Sequence, residues 1–158
     1  DGRPDWEVPR DDVSAAVAEA FDRWNVWRMY CDPPYFEGPI SDWEGRFGSE
    51  RVISWWTNRT RAMASALRNF DEAIRSDSSP LSHDGESLLT EHVGNARRHD
   101  ERSRDSDGRP LWTIRKDGRD SPRKIDAAMA ACLSWEARCD AIAAGANKKR
   151  RRTVVRGF

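Results

Sequence analysis

Residues 26–35 read Val26-Trp27-Arg28-Met29-Tyr30-Cys31-Asp32-Pro33-Pro34-Tyr35, and the fold turns on how this stretch is read. A short run rich in apolar and aromatic side chains, stopped by two prolines, predicts a strand over 26–31 with Asp32 at its carboxyl end. Upstream the period changes: Val13, Ala16, Val17, Ala20, Phe21 and Trp24 recur at helical spacing, which predicts a helix over 12–24 capped by Asp11 or Asp12. Downstream, Ile40, Trp43 and Phe47 followed by Gly48 predict a short helix with a glycine stop, and Arg51 to Trp56 a second strand. Helix, strand, helix, strand at this spacing is an α/β pattern with a largely parallel sheet. A carboxylate ending a strand of such a sheet stands at the rim, where open α/β folds place their sites.

Past the second strand, Met63, Leu67, Phe70 and Ile74 form one stripe of a helix that starts at Asn58 as its cap and ends near Arg75. A turn-rich connection over 76–85 leads to another helix carrying Leu88, Leu89, His92, Val93 and Ala96. The polar run from Arg97 to Pro110 reads as a mobile loop, and Leu111 to Arg115 as a short edge strand. The segment Ser121-Pro122-Arg123-Lys124-Ile125-Asp126-Ala127-Ala128 opens a long helix, with Pro122 at its first position and a stop at Gly145. Asp126 then falls in its second turn, where the helix dipole favours an anion. Trp24, Trp27, Trp55 and Trp56 are read as core.

Composition bounds the function. The 158 residues, 37% hydrophobic and with eight Trp and five Phe, are one domain's worth of chain and suffice for a packed core. No run of eighteen apolar residues exists, so no membrane span is expected, and the chain opens without the layout of a secretory signal. Cys31, Cys132 and Cys139 show no C-x-x-C spacing and are read as reduced, partly buried thiols. The 27 basic residues balance 27 acidic ones, but six of the basic ones crowd into residues 147–158, leaving 21 against 27 in the rest. That body of net charge minus six attracts no DNA by itself, so contact with nucleic acid falls to local basic clusters or bound cations. Two units follow, a folded domain over 1–146 and a basic tail over 147–158. The run Lys148 to Arg152 reads either as a solvated tail or as a contact with DNA or a protein partner.

The Tyr30 to Tyr35 and Ser121 to Ala128 segments, with Arg51-Val52-Ile53-Ser54-Trp55-Trp56-Thr57-Asn58-Arg59 between them, resemble the nuclease domain of tailed-phage terminase large subunits. The resemblance runs from about Trp6 to Gly145. It implies a ribonuclease H and integrase-like fold with helices packed on a small sheet, here lacking the opening strands. It also implies metal-dependent endonuclease action on double-stranded concatemeric DNA. Asp32 matches the second of the family's three acidic metal ligands and Asp126 the third. The first lies on an opening strand for which this sequence has no candidate, so the chain is expected to be truncated on its N-terminal side and to lack the ATPase domain. No Gly-Lys dipeptide occurs, hence no phosphate-binding P-loop.

The cofactor implied is Mg²⁺ or Mn²⁺ in a two-metal site, since hard cations relieve the repulsion between carboxylates and together activate a water and stabilise the leaving oxygen. In the absence of metal, Asp32→Asn or Asp126→Asn is expected to hold or raise stability by removing a repelling charge. The partners implied are DNA, a portal protein, the small terminase subunit and the ATPase domain of the same full-length chain. The place of action implied is the host cytoplasm, at the procapsid portal.

Several neighbouring residues stay open between two roles. Arg123 and Lys124, in a helical first turn that disfavours cations, suit phosphate contacts or, for Arg123, a pair with Asp126. Asn58 and Arg59 suit DNA contacts, or Asn58 a helix cap. His92 and Asn95 suit a supporting position beside the metals, or His92 a satisfied place in the core. Two other functions compete. Asp32-Pro33-Pro34-Tyr35 is also the tetrapeptide with which adenine-amino methyltransferases grip a flipped base, although no glycine-rich loop for S-adenosylmethionine follows a strand here. An inactive prophage remnant serving only as a binding module is the other.

Overall fold

The computed structural model describes residues 7–118 and 120–146. Helix α1 (Arg10–Arg23) leads to strand β1 (Met29–Cys31), helix α2 (Glu37–Phe47) and strand β2 (Val52–Ser54). Helices α3 (Thr60–Arg75) and α4 (Ser87–Asn95), strands β3 (Arg97–Arg104) and β4 (Pro110–Arg115), and helix α5 (Asp126–Ala143) complete the order. β1 and β2 pair in parallel, Tyr30 opposite Ile53, while β3 and β4 form a separate antiparallel pair. The arrangement is a mixed α/β one with small sheets and several helices; the largely parallel sheet expected is confined to the β1–β2 pair, because β3 and β4 pair with each other.

Two cores hold it together. In the first, Ile40 and Trp43 of α2 close over Val52 of β2, and Val13, Val17 and Phe21 of α1 lie against them. Phe21 and Phe47 stack with ring centroids 4.1 Å apart, and the Trp43 indole N–H donates to Ser14 Oγ at 3.2 Å. In the second, Met63, Ala66 and Leu67 of α3 meet Cys132 of α5, with Trp55, Trp112, Ile114 and Met129 packed around them. Burying side chains of this size yields roughly 1.5–3 kcal/mol each, so the α3–α5 contact outweighs the single hydrogen bonds discussed below. The glycine stops stand where expected: Gly48 (φ 98°) and Gly145 (φ 101°) take backbone conformations that side chains resist, just past α2 and α5.

Five expectations are corrected. α1 starts at Arg10 behind Pro9 with no side-chain cap; Asp11 and Asp12 lie within its first turn, facing the dipole instead of closing the end. Asn58 does not cap α3, whose cap position is Arg59 and carries no side-chain bond.

The run from Arg97 is no loop but strand β3 up to Arg104. Its side chains are almost all exposed, so apolar alternation could not reveal it, and β4 supplies Trp112 and Ile114 to the α3–α5 core and buries Leu111. Backbone pairing and cross-strand polar contacts hold β3. Thr113 Oγ1 and Arg115 both donate to Glu101 Oε1, at 2.7 and 2.9 Å, and Arg98 lies over Trp112. Asp105 Oδ1 ties the connecting turn by accepting from the Asp107 and Arg109 N–H groups. The Asp107-Gly108 pair in that turn is the hairpin signal in the sequence.

α5 begins at Asp126, not near Ser121, because Ile125 turns into the core and the Lys124 carbonyl accepts from the Asn95 side chain at 3.0 Å. Finally, Trp24 and Trp27 are not core: they are 58% and 49% exposed, on the connection between α1 and β1. The cysteines are free, as expected, with Cys132 fully buried.

Candidate functional site

Asp32 follows β1 at the carboxyl end of the parallel pair, the position the sequence assigns it. Its carboxylate is already engaged. Oδ1 accepts the Thr57 backbone N–H at 3.1 Å and Oδ2 accepts the Thr57 hydroxyl at 2.6 Å. Thr57 lies just past β2, so the aspartate ties together the ends of two strands that pair over three residues each. Beside it, the Pro33 carbonyl accepts the Phe36 N–H at 2.8 Å in a tight turn, and Tyr35 takes φ 69° there, a conformation uncommon outside glycine. The Tyr35 side chain is 87% exposed. Asn58 and Arg59 are exposed on the segment directly after Thr57. One rim thus carries Asp32, Tyr35, Asn58 and Arg59.

Asp126 is exposed at the first residue of α5. The backbone on either side of it is held from α4. Asn95 donates to the Lys124 carbonyl, and the buried His92 accepts the Ala127 N–H on Nδ1 at 2.9 Å. An imidazole reaching in from another helix therefore satisfies one of the four N–H groups that open α5 without an intrahelical partner. Arg123 and Lys124 precede the helix and are both exposed. Arg123 pairs with Asp117 at 3.1 Å, not with Asp126. The Asp117 carboxyl is held below its usual range, first by a hydrogen bond from Ser121 and then by Arg123 and Arg97.

The strand and helix bearing the two aspartates meet elsewhere. In the middle of β1 the Tyr30 hydroxyl donates to Asp140 Oδ2, near the far end of α5. Burial, then this bond to a carboxylate, push the Tyr30 phenol up to about 12, with the Arg28 guanidinium beside it acting in the opposite direction. Asp126 lies fourteen residues, or about 21 Å of helix axis, from Asp140. No described hydrogen bond or ion pair joins Asp32 to Asp126. Among the described residues no three His, Cys, Asp or Glu side chains come together in a group able to hold a metal ion. Mg²⁺ takes six oxygen ligands in near-octahedral geometry, of which one or two are commonly protein carboxylates and the rest waters and substrate phosphates. The carboxylates the sequence offers to such an ion are Asp32, tied to Thr57, and Asp126, exposed at the start of α5.

The sequence reading missed Thr57 and the Tyr30–Asp140 bond. Thr57 stands inside a quoted motif, but nothing local marks its hydroxyl as a partner for a residue 25 positions earlier. Among the described residues no helix is long and apolar enough to cross a membrane.

No protein-family model matches the chain, and no solved structure matches it. It is 30% identical over 159 residues to the Gene 13 protein of Mycobacterium phage L5, an alignment covering 95% of this chain and 26% of that protein. It is 32% identical over 143 residues to the Gene 13 protein of Mycobacterium phage D29, covering 85% of this chain and 23% of that protein. The chain is thus similar to two mycobacteriophage proteins and spans about a quarter of the length of these curated relatives.

Proposed function

We propose that this chain is nuclease-bearing sequence of a phage terminase large subunit, acting on the phosphodiester bonds of double-stranded DNA within a longer polypeptide. The observation that supports it most is the likeness to two phage proteins over most of the chain. Those names assign no reaction; the reaction comes from the motif resemblance of residues 30–35, 51–59 and 121–128.

In this reading Asp32 and Asp126 are the chain's share of a site for Mg²⁺ or Mn²⁺, with a further carboxylate supplied from outside these 158 residues. When bound, such ions would activate water and stabilise the leaving oxygen. The chain's own residues position groups. Thr57 fixes the Asp32 carboxylate, His92 and Asn95 pin the backbone around Asp126, and Arg59, Asn58, Arg123 and Lys124 offer donors to phosphates. The ribonuclease H-like fold belongs to this proposal, as do the truncation on the N-terminal side, the ATPase domain in the same polypeptide, the portal and small-subunit partners, and action at the procapsid in the host cytoplasm.

The test is plasmid cleavage by the longer polypeptide in Mn²⁺. Asp32→Asn and Asp126→Asn should each abolish cleavage while circular dichroism remains native. Full cleavage by both variants would overturn the assignment. The isolated 158-residue chain should bind Mn²⁺ weakly and cut little; efficient chelator-sensitive cutting by it would show that no outside ligand is needed.

One observation favours a second reading: Tyr35 stands exposed beside Asp32, as a base-stacking tyrosine of an adenine-amino methyltransferase would. Saturable S-adenosylmethionine binding by calorimetry would establish that reading, and no heat of binding would remove it.

A further inference from the structure

The connection from α1 into β1 crosses the far end of α5, at the rim opposite Asp32. Trp27 and Arg28 line two grooves there, of about 340 and 970 Å³, one on each side of this connection. Half of the Trp27 surface is open to solvent, an unusual cost for a large aromatic ring, and Trp24 is more exposed still, with Arg23 stacked over it at 4.8 Å. Arg51 stands on the wall of one groove and Arg138 on the wall of the other. Arg28 Nε is buried without a hydrogen-bond partner, a donor left unsatisfied in the free protein.

Glu50 lines the larger groove, and Asp140 nearby already accepts from Tyr30. With roughly half a negative charge at the carboxyl end of α5, they offset most of the charge of the Arg28, Arg51 and Arg138 guanidinium groups, so the open aromatic face and the exposed Arg51 distinguish this rim. Ala146 lines the smaller groove, and the basic tail expected over 147–158 lies outside the described residues.

From this juxtaposition we propose that the Trp27–Arg28–Arg51 face binds single-stranded DNA, with a base stacked on Trp27 and phosphates on Arg28 and Arg51. Exposed aromatic faces interleaved with guanidinium groups recognise unpaired strands, because every base has a π-face and every linkage a charge. A duplex hides its base faces and leaves Trp27 unused. The choice of DNA over RNA rests on the function proposed above; the location and the stacking chemistry do not.

The experiment is anisotropy of a labelled oligothymidylate of about 15 nucleotides titrated with the full 158-residue chain in chelator. Hydrolysis is absent there, so failure of the nuclease assignment leaves the result untouched. Trp27→Ala should weaken binding by about tenfold or more, and Trp27→Phe should restore most of it. Arg51→Gln, at an exposed position, should lower the slope of log affinity against log salt by about 0.7, the loss of one single-strand phosphate contact. Thermal melting verifies that each variant folds. No binding by the wild-type chain at low salt overturns the proposal. So does binding that both Trp27→Ala and Arg51→Gln leave unchanged, or a duplex bound as well as the single strand with Trp27→Ala indifferent.

Discussion

Removing the Thr57 hydroxyl separates what Asp32 does for the fold from what it does for chemistry. In Thr57→Val the side chain keeps its shape but gives up the 2.6 Å bond to Oδ2, while the backbone N–H keeps its 3.1 Å bond to Oδ1. A hydrogen bond to a charged acceptor contributes about 1.5–3 kcal/mol. This one is part-buried, so the lower figure applies, about 1.5 kcal/mol. For a chain of this length that is a fall in Tm of about 3–6 °C.

Asp32→Asn should cost less, roughly 0.5–1 kcal/mol, because the amide oxygen still accepts from the Thr57 N–H and the amide NH2 can donate to the Thr57 hydroxyl, so both contacts persist without charge assistance. The loss runs opposite to the gain expected if Asp32 faced a second carboxylate. Urea melts of the two single variants and the double variant close a thermodynamic cycle, and the coupling should be about 1 kcal/mol, as for residues in direct contact. A coupling below about 0.3 kcal/mol, within the additivity of independent sites, would refute the strand-end tie. A stabilised Asp32→Asn would refute it as well, and would show that charge repulsion governs the site.

The thiols and the half-buried Tyr30 phenol give further measurements. Burial pushes Cys132 up to about 12, assisted by Glu136, and Cys31 up to about 11, assisted by Glu44; Cys139 is raised also, first by burial. At pH about 8 the thiolate fraction of Cys132 and Cys31 is then of order one in a thousand or less. Native alkylation followed by mass spectrometry should be slow at both and fast in denaturant, and a native Cys132 reacting at the rate of a free thiol would contradict its burial. In a Tyr35→Phe background the remaining phenol is Tyr30, which should ionise near 12 by ultraviolet titration. Its raised value favours the protonated folded form, so its contribution to stability is complete below about pH 10 and is lost as pH rises from there towards 12. Ionisation at the value of free tyrosine would show that the Asp140 contact does not form in solution.

Much of the architecture was legible along the chain because its signals are local. Helical spacing in α1 and α2, the Pro33-Pro34 stop after β1, and the glycines after α2 and α5 act within a turn or two of their own residues, and they place these helices and stops, although the strands expected over 26–31 and 51–56 are shorter, 29–31 and 52–54. Strand β3 was not legible: Arg97 to Arg104 carries no apolar alternation, and it is a strand only because β4 offers backbone partners and the α3 core accepts Trp112 and Ile114. Asp32 at a strand end was readable from sequence. That its carboxylate is taken by Thr57 was not, since the two residues meet only once β1 and β2 lie side by side. The same holds for the start of α5: Pro122 is a sound first helical residue by local rules, yet burial of Ile125 and the bonds from Asn95 and His92 move the start to Asp126. Trp27 makes the point most directly. Its residue type predicts burial, but which face of the chain is covered depends on the packing of the other elements, and here they leave that ring half in water.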